Sequence, residues 1–154
     1  MNAEETLAAF RRRFPGAETR PVDPASGVTV LPEALREQLT FLRDELAFDF
    51  LVFVTALDHP AAGAIELVYR LFSHESRVSV VIRVRCPRDG ARVPTVSDIF
   101  RTAEWHERET AELFGVEFAG HPDPRRLLLP DDLDGYPLRK DFTHPNLVRL
   151  PEAQ

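Results

Sequence analysis

His106-Glu107-Arg108-Glu109-Thr110 invites comparison with the zinc-peptidase helix, in which two histidines four residues apart hold the metal and a glutamate serves as base. Position 110 is threonine, so the second ligand is missing. His106, Glu109, His121, Asp123 and His144 could converge on a metal, but they lack a recognised ligand spacing, and the histidines are expected to cap turns and bond to backbone. Glu107 and Glu109 lie two residues apart, which on a helix points them to opposite sides and rules out a facing acid–base pair. No serine or cysteine sits in a nucleophile setting, and Gly115, Gly120 and Gly135 are spaced as turn residues rather than as a phosphate loop. Arg125-Arg126 and Arg139-Lys140 could clamp an anion. The nearer expectation is that they pair with Glu107, Glu109, Asp131, Asp132 and Asp141, or with the acids of a partner. A free-standing metal-dependent hydrolase built on His121 and Asp123 is the competing class, and it predicts bound metal or turnover in the isolated protein.

A helix over residues 103–114 would position these groups. On a helical wheel Ala103, Ala111, Thr110, Leu113 and Phe114 share one side with His106 and Glu107, while Trp105, Arg108, Glu109 and Glu112 fall on the other. A carboxylate buried at Glu107 needs a cationic or donor partner. Arg125, Arg126 and Arg139 are available, so the following segment is expected to fold back near the helix. Trp105, exposed among charges, has the composition of an interface hot spot. Gly115 suits the left-handed residue that ends a helix. Beyond it Pro122, Pro124, Pro130, Pro137 and Pro145 leave no room for a long helix or a central strand. Residues 119–154 are therefore read as an extended, Pro-rich C-terminal interface arm, ordered by laying its leucines and Phe142 on a surface. Proline stiffening lowers the entropy cost of docking such an arm.

The platform for helix and arm is expected over residues 1–118, as an α+β domain. Residues 3–14 form a short amphipathic helix stopped by Pro15-Gly16, and residues 19–27 are turn-rich. A short strand at 28–31 precedes a helix from Pro32 to about Ala47, whose Leu35, Leu39, Leu42 and Leu46 form one apolar stripe. Residues 48–57, 64–73 and 77–85 read as three strands of an antiparallel meander, linked closely enough for hairpins. Helices then pack on one face, while Glu66, Arg70, Arg83 and Arg85 face water or a neighbour on the other. Residues 87–94 are a loop, and Thr95 or Ser97 caps a short helix leading into the Trp105 helix.

Composition narrows the function classes. A chain of 154 residues with 44% hydrophobic content supports one core and is too short for two comfortable domains. Its net charge of −6 and pI near 5.4 argue against a general nucleic-acid binder. One cysteine, Cys86, excludes an internal disulfide and cannot supply the thiolates of an iron–sulfur cluster. No secretory signal is read at the start. The longest clean apolar run, 50–57, is far too short to span a membrane.

Glu107-Arg108-Glu109, Glu112 to Gly115 (ELFG), Gly120-His121-Pro122-Asp123, Arg125-Arg126, Leu129-Pro130-Asp131-Asp132 and the run GYPLRKD at 135–141 resemble the signature of the thirty-kilodalton subunit of respiratory complex I, the C subunit of bacterial NADH:quinone oxidoreductase. Pro124, Leu133 and Tyr136 depart from that pattern, where an aliphatic residue, tryptophan and histidine are frequent. The resemblance implies a non-catalytic structural subunit of the peripheral arm of the proton-translocating complex. It would support the large quinone-site subunit, beside iron–sulfur subunits, during electron transfer from NADH to quinone. NADH, FMN, iron–sulfur clusters and quinone would be bound by other subunits and none by this one. The complex would lie on the cytoplasmic side of the bacterial inner membrane, with this protein as a peripheral member of a hetero-oligomer. An equivalent subunit of a membrane-bound hydrogenase, or of a complex using another donor, is the alternative within the family. Trp105, Leu128 and Phe142 are the expected apolar anchors. Glu107, Arg108, Glu109, Arg125, Arg126, Arg139 and Asp141 are the expected ion-pair network.

Overall fold

The computed structural model describes residues 2–22 and 25–148. Helix α1 (Ala3–Arg13) opens with a capping box, in which the Asn2 side chain accepts the Glu5 N–H while the Glu5 carboxylate accepts the Asn2 N–H. It buries Phe10, whose ring meets Phe14 and the edge of Phe41 on α2 (Leu35–Leu46). Helix α2 follows a single 3-10 turn, Pro32–Ala34, and the leucine stripe expected of it is buried as a unit.

Those helices cover one face of a five-stranded sheet, ordered β1 (Glu18–Val22), β2 (Ala25–Val30), β5 (Ser79–Pro87), β4 (Ala64–Phe72), β3 (Phe50–His59). The β3–β4–β5 meander is antiparallel, as its short links dictate. The sheet as a whole is mixed, because β2 pairs with β5 in parallel. The α2 crossover returns the polypeptide to the end where β2 began, so β3 runs in the direction of β2. Two hairpin reversals then bring β5 beside β2 in that same direction. Strand β1 is a correction to the turn-rich reading of 19–27, since it forms a hairpin with β2; residues 23 and 24 lie outside the described residues. Along β4, Ile65, Leu67, Tyr69 and Leu71 enter the core, and Glu66, Val68, Arg70 and Phe72 occupy the opposite face.

Helix α3 (Ala103–Phe114) lies against β3, the sheet's outer strand. The Thr110 hydroxyl donates to the Val54 carbonyl and the Thr102 hydroxyl to the Leu51 carbonyl, each at 3.3 Å. Carbonyls that an edge strand would leave bare are thereby satisfied from the helix. Two three-residue strands, β6 (Arg92–Pro94) and β7 (Glu117–Ala119), pair in parallel on either side of α3 in sequence. The loop expected over 87–94 thus contains the end of β5 and all of β6; runs of three residues carry no periodicity to read. No helix forms at 95–102, which is a series of turns, and neither Thr95 nor Ser97 caps α3. Among the described residues 120–148 there is no helix or strand.

Candidate functional site

Glu107 points from α3 into the core and is fully buried, with 0% of its surface exposed. Its partners are not the arginines expected for it. One carboxylate oxygen accepts the Val96 N–H at 2.8 Å, and the other accepts the Thr95 hydroxyl at 2.5 Å. Thr95 therefore serves as a donor to a buried acid and not as a helix cap. Burial pushes the Glu107 carboxyl above its ordinary range, against the pull of the Thr95 and Val96 donors. The nearest basic group is His121, whose Nε2 stands 3.8 Å from the carboxylate. The Asp123 N–H donates to His121 Nδ1 at 3.0 Å, which leaves Nε2 as the protonated nitrogen, donating to the Glu104 carbonyl at 2.9 Å. This imidazole closes the first turn of the arm onto α3.

One turn further along α3, Arg108 and Glu112 divide the arm's backbone between them. Arg108 donates to the carbonyls of Arg125 and Arg126 at 2.8 and 3.0 Å and stands 3.4 Å from the Asp123 carboxylate. Glu112 accepts the consecutive N–H groups of Leu127, Leu128 and Leu129 at 3.0, 2.7 and 3.2 Å. Residues four apart on a helix lie side by side, so one guanidinium takes the carbonyls and one carboxylate the amides of a single five-residue stretch. The wheel had turned Glu112 toward solvent. It is buried because the arm lies over that side. Arg126 turns back to the carbonyls of Pro130 and Leu133, folding the next part of the arm on itself.

A second fastening holds the arm at its far end. Arg139 donates to the Phe114 carbonyl at 2.7 Å, to the Arg88 carbonyl at 3.1 Å and to the Gly115 carbonyl at 3.4 Å. Two of these acceptors are orphan carbonyls at the C-terminus of α3, where a cation is also favoured by the helix dipole. The same guanidinium lies 4.8 Å from the centre of the Tyr136 ring. That ring covers Gly115, where a Cβ would fall 2.4 Å from it and the backbone has φ +72°. Arg88 bridges Asp58, on β3, and Asp141, in the arm, while Asp58 also accepts the Lys140 N–H at 2.8 Å. The Arg88 guanidinium holds the Asp58 carboxyl down at about 2.

Of the ten residues singled out from sequence, Arg108, Arg126, Arg139 and Asp141 bind the arm to the body or to itself. Among the described residues the Arg125 guanidinium pairs with Asp123 alone, at 2.7 Å, and is largely in solvent. Glu109 has no hydrogen bond or ion pair among the described residues. Trp105 is 58% exposed with Arg108 over its ring, and Leu128 is 63% exposed. Phe142 is half-buried against Gly135 and stacks on His144. Sequence reasoning missed Glu112, Asp58 and Arg88. Only Glu112 left a signal, its four-residue offset from Arg108. Among the described residues no three His, Cys, Asp or Glu side chains stand close enough to hold a metal, and no helix is long and apolar enough to cross a membrane.

Fold and site together define an α+β protein whose last helix fastens an irregular C-terminal segment along its outer side. The family model described as "Respiratory-chain NADH dehydrogenase, 30 Kd subunit" matches residues 28–147, and the protein belongs to that family of complex-I-type subunits. It is 38% identical over 136 residues to the C subunit of the NADH-quinone oxidoreductase of Moorella thermoacetica, a match covering 88% of this sequence and 92% of that one. It is 39% identical to the C subunit of the F(420)H(2) dehydrogenase of Methanosarcina mazei, over 70% of this sequence and 68% of that one. The C/D subunit of the NADH-quinone oxidoreductase of Phocaeicola vulgatus is 40% identical over 75% of this sequence, a match that spans 22% of the longer protein. Among solved structures, one polypeptide of the membrane-bound sulfane sulfur reductase, an archaeal respiratory membrane complex, superposes with a TM-score of 0.81. Its identity is 34%, over 91% of this sequence and 85% of that one.

Proposed function

We propose that this protein is a non-catalytic structural subunit of the peripheral arm of NADH:quinone oxidoreductase, with its C-terminal arm as the grip on the large quinone-site subunit. One observation carries the reading: the backbone of residues 125–129 is held by Arg108 and Glu112 and Arg139 ties the arm to the end of α3, so the arm is fastened while Leu128, Leu138 and Trp105 stay more than half exposed. Apolar side chains exposed on a backbone already fastened in place suit a pre-organised docking surface. The C/D relative supports the choice of partner, since a subunit joined covalently in one organism is a natural neighbour in another. In this reading the protein holds no NADH, FMN, cluster or quinone. It keeps the large subunit in position on the cytoplasmic side of the membrane while electrons pass from NADH to quinone.

Affinity capture of the tagged protein from native membranes, with mass spectrometry of what co-purifies, tests this. Leu128→Asp and Trp105→Ala should each weaken capture of the large subunit, by about tenfold or more for a hot-spot contact, while the far-UV spectrum of the protein stays unchanged. Undiminished capture with both changes would remove the arm from the interface. Turnover of NADH, or a bound metal, in the purified single protein would overturn the non-catalytic reading. The F(420)H(2) dehydrogenase relative favours a second reading, in which the donor is not NADH; the electron-input subunit recovered in the same capture separates the two.

A further inference from the structure

Among the described residues, none of the arm is hydrogen-bonded or ion-paired to the face of the sheet turned away from the helices. Its central residues come in cross-strand rows: Leu57, Glu66 and Arg85, then Thr55, Val68, Arg83 and Thr29, then Phe53, Arg70 and Val81. Val68, Val81 and part of Phe53 form a small apolar patch of their own, separate from the main core. Around it stand Arg70, Arg83 and Arg85 with Glu66 among them, and Glu18 continues the Arg83–Thr29 row at the sheet's edge, in a protein of net charge −6. Glu66 is buried and consumes two of them, accepting from Arg83 and from Arg85 at 2.7 Å each. Arg70 is not one of them. Arg70 Nε is buried and has no hydrogen-bond partner, and His59 Nε2, 4.0 Å from the already satisfied Glu66, is buried and equally unpartnered. Buried donors without acceptors are rare, because the lost hydration is not recovered.

A groove of about 840 Å³ adjoins this face, between the turn that follows α1 and the Glu66, Arg83 and Arg85 side chains. It also contains Gln38, a buried side chain whose amide oxygen has no partner. The groove is lined by Glu66, Arg83 and Arg85, whereas the unpartnered Arg70 and His59 nitrogens lie outside it, on the sheet face itself. A carboxylate-bearing polypeptide laid in extended form along the strands supplies acceptors for Arg70 and His59.

We infer that the open sheet face, with Arg70 at its centre, docks an acidic extended segment of a partner polypeptide in the assembled complex. This surface lies on the sheet and not on the arm, so it is a second contact. Its failure leaves the arm's role intact.

Photo-crosslinking in the assembled complex tests it. A benzoylphenylalanine in place of Thr55 or Leu57, both exposed on this face, is activated in the complex purified from native membranes, and the joined peptides are sequenced. The same group at Leu128 reports on the arm. The inference expects Thr55 and Leu57 adducts to map to one Asp- or Glu-rich segment of another polypeptide. It expects their yield to fall about tenfold with Arg70→Gln while the Leu128 adduct is unchanged. Lipid adducts, adducts to a second copy of this protein, adducts to a neutral or basic segment, or no adduct beside a normal Leu128 signal would each overturn it. So would yields indifferent to Arg70→Gln.

Discussion

At the scale of single residues, the two acids of α3 show how one helix stabilises two kinds of structure. Glu107 serves the core. Its carboxyl is raised by burial, so the folded protein keeps a proton over a range where the unfolded one has lost it, and stability falls as pH rises from 4.5 through that range. Glu107→Gln should flatten that fall in denaturant titrations at successive pH values, whereas Glu107→Ala should cost about 1–3 kcal/mol for each donor stranded at Thr95 and Val96. An unaltered pH slope in the glutamine variant would show that another group sets it. Glu112 serves the arm. Glu112→Ala releases three backbone N–H groups, and trypsin cleavage after Arg125 and Arg126 should accelerate at least about tenfold, with little change in the unfolding midpoint of the body. Cleavage at the parent rate would mean that Arg108 alone holds the segment.

At the scale of elements, the junction between α3 and the arm is sterically specified. Gly115→Ala places a methyl group inside the Tyr136 ring and forces a left-handed backbone on alanine, so it should destabilise by about 1–3 kcal/mol, measured by chemical denaturation. Tyr136→Ala in the same protein should recover part of the loss, which a double-mutant cycle would register as coupling. The glycine stop was legible from sequence, as were α1, α2, α3 and the meander, because each repeats its apolar residues long enough to show a period. The hairpin strand β1, with Pro21 inside it, and the short pair β6 and β7 were not, since they owe their existence to neighbours distant in sequence. The wheel fixed the buried side of α3 correctly at Ala103, Glu107, Thr110 and Phe114. It failed at Glu112 because a wheel has one inside, and this helix has two: the sheet on one side and its own arm on the other. The partners assumed for Glu107 were wrong for a related reason. A buried carboxylate can be satisfied by a hydroxyl and an amide, and no composition argument distinguishes those from arginine.

At the scale of the whole molecule, Asp58, Arg88 and Asp141 join the sheet, the loop after β5 and the end of the arm. Asp58 titrates at about 2, below the usual carboxylate value of 3.8, so this tie contributes fully above pH 4 and is lost as pH falls through about 2. Thermal unfolding between pH 5 and pH 2 should show that acid loss in the parent and a shallower one in Asp58→Asn, which is already weakened at pH 5. Parallel curves would exclude Asp58 as the titrating group. The stretch 125–129 has a wider consequence. Because it is fastened through peptide groups, its seating on α3 does not constrain which side chains it displays. Leucines there can be exchanged for other residues without unseating the backbone beneath them. A scaffold of that sort can be refitted to a new neighbour by surface substitution alone, which suits a family whose relatives include subunits of oxidoreductases named for different donors, NADH and F(420)H(2).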